Sequence, residues 1–70
     1  MQTYLTIFIN GEPFHCDSSM SLMNILYYLN INVDTIIIEY NKQIIDRDSF
    51  SSLFFKNNDS LEIITIVGGG

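Results

Sequence analysis

The sequence predicts an α+β fold, a small mixed sheet of about five strands packed on a single helix. Three observations carry that prediction. Residues 3–9 and 35–40 alternate with period two, and the apolar run 61–67 gives a final strand over 60–67. Asn10-Gly11 and Asn41-Lys42 stand between apolar segments as turn signals. Only residues 22–30 repeat their apolar side chains at helical spacing.

Each element follows in order. In 3–9, Leu5, Ile7 and Ile9 share one face while Tyr4, Thr6 and Phe8 share the other. Asn10-Gly11 suits a type I′ turn, which needs positive φ at both central positions. The return strand runs over 12–16 with Phe14 and Cys16 inward, and Pro13, which cannot donate to a ladder, assigns it to a sheet edge. Ser21 is the predicted N-cap of a helix over 22–30 that shows Leu22, Ile25, Leu26 and Leu29 to the core. Asn30, Ile31 and Asn32 end it. The next strand, 35–40, turns Ile36, Ile38 and Tyr40 inward, and 43–45 returns beside it. Residues 46–53 read as irregular or one helical turn, with Phe50 and Leu53 as core plugs, and Asn57-Asn58-Asp59 as a turn into the last strand. One helix covers one face of a sheet only, so this order predicts the ubiquitin-like β-grasp over residues 1–67, followed by a glycine tail at 68–70.

Composition narrows the function. A domain of 70 residues buries only about 60% of its unfolded surface, and the 47% hydrophobic content meets that demand. Three Lys plus Arg give no basic patch for nucleic acid, while a net charge of −5 points to a partner with a basic surface. A single cysteine forms no internal disulfide, and one Cys with one His cannot build a structural zinc site. No apolar stretch approaches the ~20 residues of a membrane span, and no secretory or transit segment is visible. The expected setting is a reducing compartment, a bacterial cytosol or, given the absence of alanine and abundance of Ile and Asn, the stroma of a plastid that encodes the chain. The free protein is expected to be a monomer that binds no cofactor or metal of its own.

Catalytic chemistry is scarce. His15 and Cys16 are neighbours on a strand, point to opposite faces and form no nucleophile–base pair. Cys16 reads as a small buried hydrophobe, and Asp46, Arg47 and Asp48 as a solvated, locally compensated loop. A surface and a tail remain. With the helix on one sheet face, Phe8, Ile37, Ile64 and Ile66 point to the other, either as a partner docking patch or as strand-end residues under loop side chains. Gly68-Gly69-Gly70 follow the last strand with no linker between. The triplet reads as a frayed end or as a thin arm that presents a terminal carboxylate through a channel too narrow for side chains.

Longer patterns bear on that choice. Ile9-Asn10-Gly11-Glu12, then residues 38–47 (Ile-Glu-Tyr-Asn-Lys-Gln-Ile-Ile-Asp-Arg), 58–64 (Asn-Asp-Ser-Leu-Glu-Ile-Ile) and Val67-Gly68-Gly69-Gly70 resemble the ThiS family, the sulfur carriers of thiamine biosynthesis, over essentially the whole chain. Asp46 stands where that family usually has Pro, and Asn58 where it often has Gly. The resemblance implies a carrier rather than an enzyme. An E1-like, ThiF-type adenylyltransferase would use ATP to adenylate the Gly70 carboxylate, and a sulfur donor would convert it to a thiocarboxylate. A ThiG-type thiazole synthase would then consume the sulfur, with Gly68 and Gly69 giving both enzymes access. The small subunit of molybdopterin synthase, a lysine-conjugated modifier and a non-covalent β-grasp interaction module are the rival readings.

Overall fold

The computed structural model of the protein describes residues 4–66. The tail expected at 68–70, with Val67, lies outside the described residues. Strands β1 (Tyr4–Ile9) and β2 (Glu12–Asp17) precede helix α1 (Leu22–Tyr28), and β3 (Ile36–Tyr40), β4 (Gln43–Ile45) and β5 (Ser60–Thr65) follow it. They form one sheet in the order β2-β1-β5-β3-β4, in which only β1 and β5 run parallel. This is the β-grasp that the sequence predicts, with β2 at an edge as Pro13 requires.

Asparagine shapes the turns. Asn10 and Gly11 have φ of 51° and 84°, and Asn41 and Lys42 have 48° and 73°, so both hairpins use turns that match the twist of their strands. Asn30, at φ 62°, stops the helix earlier than the apolar spacing predicts. Its N–H donates to the Tyr27 carbonyl at 3.0 Å and the Ile31 N–H to the Leu26 carbonyl at 2.9 Å, the paired bonds of a left-handed C-terminal cap. At the other end Ser21 and Asn24 form a capping box: the Ser21 Oγ accepts from the Asn24 N–H at 3.2 Å, and the Asn24 Oδ1 accepts from the Ser21 N–H at 2.9 Å. The loop after β4 supplies the remaining acceptors. Leu22 and Met23 donate their N–H groups to the Leu53 and Phe50 carbonyls at 2.9 Å each, so the first turn of α1 keeps no unpaired donor. That loop also closes the core with Phe50 and Phe55, while Leu53 is only half-buried, in place of the expected Phe50 and Leu53. Inside, Ile7, Leu22, Ile25, Leu26, Ile38 and Leu61 are fully enclosed, each contributing about 1.5–3 kcal/mol of burial.

Strand β5 depends on side chains for its place. Bonds from the Asn41 N–H to the Ser60 carbonyl and from the Ile66 N–H to the Thr35 carbonyl set its even residues toward β3 and turn Leu61 and Ile63 toward β1. Backbone pairing with β1 covers only Phe8 with Ser60 and Ile9 with Leu61, because β1 leaves the sheet at its hairpin. Asn10 supplies the next rung. Its Oδ1 accepts from the Ile63 N–H at 2.8 Å and its Nδ2 donates to the Ile63 carbonyl at 3.4 Å, imitating a strand residue. Two further asparagines act alike: the Asn57 Oδ1 accepts from the Thr6 N–H at 2.8 Å, and the Asn41 Oδ1 from the Ser60 N–H at 2.9 Å.

The turn that launches β5 is built on buried Asp59. Its carboxylate accepts from the Lys56 N–H at 2.7 Å, from the Asn41 amide at 3.3 Å and from the Tyr40 hydroxyl, whose ring packs edge-on against Phe55 at 5.7 Å. Burial of the Tyr40 hydroxyl, then its hydrogen bond to Asp59 and that group's negative charge, push its pKa up from 10 to about 12.

Two outcomes follow. Asn10→Gly keeps the positive-φ turn but removes both side-chain rungs, and should cost about 1 kcal/mol in denaturant unfolding, with m unchanged. Ionisation of Tyr40 is disfavoured in the folded state, so its contribution is complete below pH 10 and lost as pH rises through about 12. The stability difference between wild type and Tyr40→Phe should be constant below pH 10 and shrink above it, as read by unfolding at stepped pH.

Candidate functional site

The helix covers one face of the sheet; the other presents the even residues of β1 and β5 and the odd residues of β3. On it, Ile37 and Ile64 stand directly opposite each other, two residues along from Glu39 and Glu62, which form the next rung on that face. Ile44 of β4 is opposite Glu39 on the far side. Ile64 and Ile66 are 39% and 55% exposed, and Ile44, at 69%, is more exposed than either. Ile37 is half-buried by its neighbours. The Ile66 N–H bond to Thr35, 2.9 Å long, extends the ladder one residue past β5 and holds Ile66 beside Ile64 on this surface.

Phe8 belongs to the same face but not to the same cluster. It pairs with Pro13 on one side and Ser60 on the other, and Ile64 lies four residues further along β5. At about 3.3 Å per residue that is roughly 13 Å, with the Glu62 carboxylate between. Ile37, Ile64 and Ile66 therefore gather at the end of β5 that leads toward the glycines, and Phe8 sits at the other end. Ile44 is the residue that sequence reading omits. Its signal was available: the two-residue turn at Asn41-Lys42 fixes Tyr40 against Gln43, hence Glu39 against Ile44, on the outer face. The β3–β5 register places Glu39 opposite Glu62, which no local pattern reveals.

The other groups weighed for chemistry keep structural roles. Cys16 is buried, and burial followed by the nearby Asp17 charge pushes its thiol up, away from the reactive thiolate. His15 accepts or donates at Nδ1 with the Thr6 hydroxyl at 2.8 Å on the outer side of β2. Arg47 pairs not with the flanking aspartates but with Asp34, at 2.7 Å in a solvent-exposed bridge between the two 3₁₀ turns. Among the described residues no group of three His, Cys, Asp or Glu side chains is placed to hold a metal ion. No helix among them is long and apolar enough to cross a membrane. What remains among the described residues is the outer face itself, with Ile37, Ile64 and Ile66 at one end and the Glu39–Glu62 rung beside them.

The sequence and the fold both have known relatives. The sequence model of the ThiS family matches residues 7–70. The protein named "Uncharacterized protein ycf40" from Porphyra purpurea is 46% identical over 66 residues, covering 94% of this chain and 93% of that protein. A thiazole synthase from Magnetococcus marinus is 26% identical over the same length, which is 94% of this chain but only 20% of that enzyme. The crystal structure of the thiamine biosynthesis protein ThiS from Geobacter metallireducens superposes with a TM-score of 0.79 at 25% identity, covering 94% of this chain and 100% of that one. The match spans the sheet, the helix and the glycine run alike, and the chain belongs to the ThiS family, the sulfur carriers of thiamine biosynthesis.

Proposed function

We propose that the chain carries sulfur on the carboxyl terminus of Gly70 and that other proteins perform every bond-making step. The observation that supports this reading is the anchoring of β5. A central strand fixed on both sides runs, in sequence, through Ile66 and Val67 directly into Gly68-Gly69-Gly70. The folded body is a handle and the glycines an arm without side chains.

A carboxylate is a poor electrophile because its charge is delocalised and its oxygen leaves badly. Attack of the Gly70 carboxylate on the α-phosphorus of ATP gives an acyl adenylate and releases pyrophosphate, the task of a ThiF-type adenylyltransferase. The sulfur of a persulfide donor then attacks the acyl carbon and AMP departs. A thiol cleaves the resulting acyl disulfide, so that the thiol and the donor sulfur leave as a disulfide and the thiocarboxylate stays on Gly70. A ThiG-type thiazole synthase takes that sulfur into the thiazole ring. The relatives in which a segment like this chain forms a fifth of a thiazole synthase support that partner. ATP and the sulfur donor belong to the partners, and the chain is their co-substrate. The ycf40 relatives support a plastid stroma over a bacterial cytosol as the setting.

In this reading the activating enzyme docks on the outer face near Ile37, Ile64 and Ile66, which brings the arm to its nucleotide. Intact mass after co-expression with the adenylyltransferase and a sulfur donor should rise by about 16 Da where sulfur replaces oxygen. An unmodified chain, or one that extends beyond Gly70, counts against the mechanism.

Two substitutions separate handle from arm. Gly70→Ala should abolish adenylation, followed as pyrophosphate release, and leave the melting temperature unchanged. Ile66→Ser removes exposed apolar area and should weaken docking by about tenfold or more while shifting stability by less than about 0.5 kcal/mol. Calorimetric titration and denaturant unfolding read the two effects independently.

A further inference from the structure

The outer face carries an electrostatic conflict that the fold does not resolve. Glu39 and Glu62 come from separate segments of the chain and are placed directly opposite each other on β3 and β5, pointing out of the same face. Side chains so opposed have Cβ atoms about 5 Å apart, and like charges there destabilise the pair. Neither carboxylate makes a hydrogen bond or ion pair among the described residues. Lys42 lines the same recess of about 340 Å³, together with Ser60, but bridges neither glutamate. Arg47 is engaged by Asp34 on another part of the surface. The acidic rung is framed by apolar groups, with the Ile37–Ile64 rung beside it along the strands and Ile44 flanking Glu39.

That frame determines what can cover the face. An occupant must bring apolar surface for the isoleucines and a positive charge for the glutamates. A second copy of this chain would set acid against acid on a body already at net charge −5. A metal ion finds two carboxylates there and no third His, Cys, Asp or Glu among the described residues. A guanidinium meets both demands, since it is planar, weakly hydrated and able to bond two carboxylates at once.

We propose that the outer face binds a protein that inserts one basic side chain, best an arginine, between Glu39 and Glu62 while its apolar neighbours cover Ile37, Ile64 and Ile44. The proposal deepens and rests on the reading that this face receives the activating enzyme; it makes the acidic rung the element that selects that partner. The free carrier tolerates the repulsion, and the complex relieves it.

The test uses the full chain and the E1-type adenylyltransferase encoded in the same genome, comparing wild type with the Glu39→Gln/Glu62→Gln double variant. Neutralising the rung should raise the melting temperature of the free protein and yet weaken binding about tenfold, a charge-assisted bond being of that size. Wild-type affinity should fall more steeply with salt than that of the variant. A purely structural role for the glutamates would move stability and affinity together, so opposite signs are the signature. If wild type is adenylated normally and the double variant binds equally well, or loses affinity only in step with its melting temperature, the acidic rung selects nothing. Self-association of the wild type that the double variant enhances would equally overturn the proposal. If wild type neither binds the enzyme nor is adenylated by it, the docking reading fails first and this proposal with it.

Discussion

A six-residue strand formed late in the chain has to sit in the middle of the sheet, and most of the structure follows from how β5 is held there. On the β3 side the ladder is continuous from Tyr40–Leu61 to Ile36–Thr65. On the β1 side two backbone partners are available before β1 turns away, and the Asn10 amide continues the ladder onto Ile63. Asn57 ties the preceding turn to Thr6, and Asn41 ties the first residue of β5 to the β3–β4 turn. A side-chain amide carries the same donor and acceptor as a peptide, so it can replace a missing strand residue without adding length. The strand that leads to the glycines is thereby fixed from both edges by groups that also make the hairpin turns.

The two faces of the sheet divide the work. The inner face is sealed by α1 and by Phe50 and Phe55 from the loop after β4, whose Phe50 and Leu53 carbonyls also complete the helix N-terminus. A chain this short has few apolar side chains to spare, yet Ile44, Ile64 and Ile66 remain outside. The proposed docking needs such residues beside the last stretch of sheet before the glycine run. That is where Ile64 and Ile66 are found. Asp59 shows the opposite economy: one buried carboxylate gathers Lys56, Tyr40 and Asn41 and makes the turn that aims β5.

Much of this was legible in the residues themselves. Asn10-Gly11 and Asn41-Lys42 announced the hairpins because positive φ is a local demand, and Ser21 announced the helix start because capping is local too. Pro13 identified the edge strand through its missing donor. The helix end was misplaced by one cap residue's conformation: Leu29 keeps the apolar spacing, but Asn30 in the left-handed region closes the helix at Tyr28. Phe50 is the plug that was expected, Leu53 packs against the core only half-buried, and Phe55 fills the place expected of Leu53.

The sequence by itself determined most of the elements, their turns and the family, since each rests on neighbours within a few residues or on a recognisable run. Only the tertiary structure decided which distant residues meet. Strand order split Phe8 from Ile37, Ile64 and Ile66, turned Asn10 into a rung of the sheet, and set Glu39 against Glu62. Register across non-consecutive strands is fixed by packing and long-range hydrogen bonds, and no stretch of residues encodes that alone.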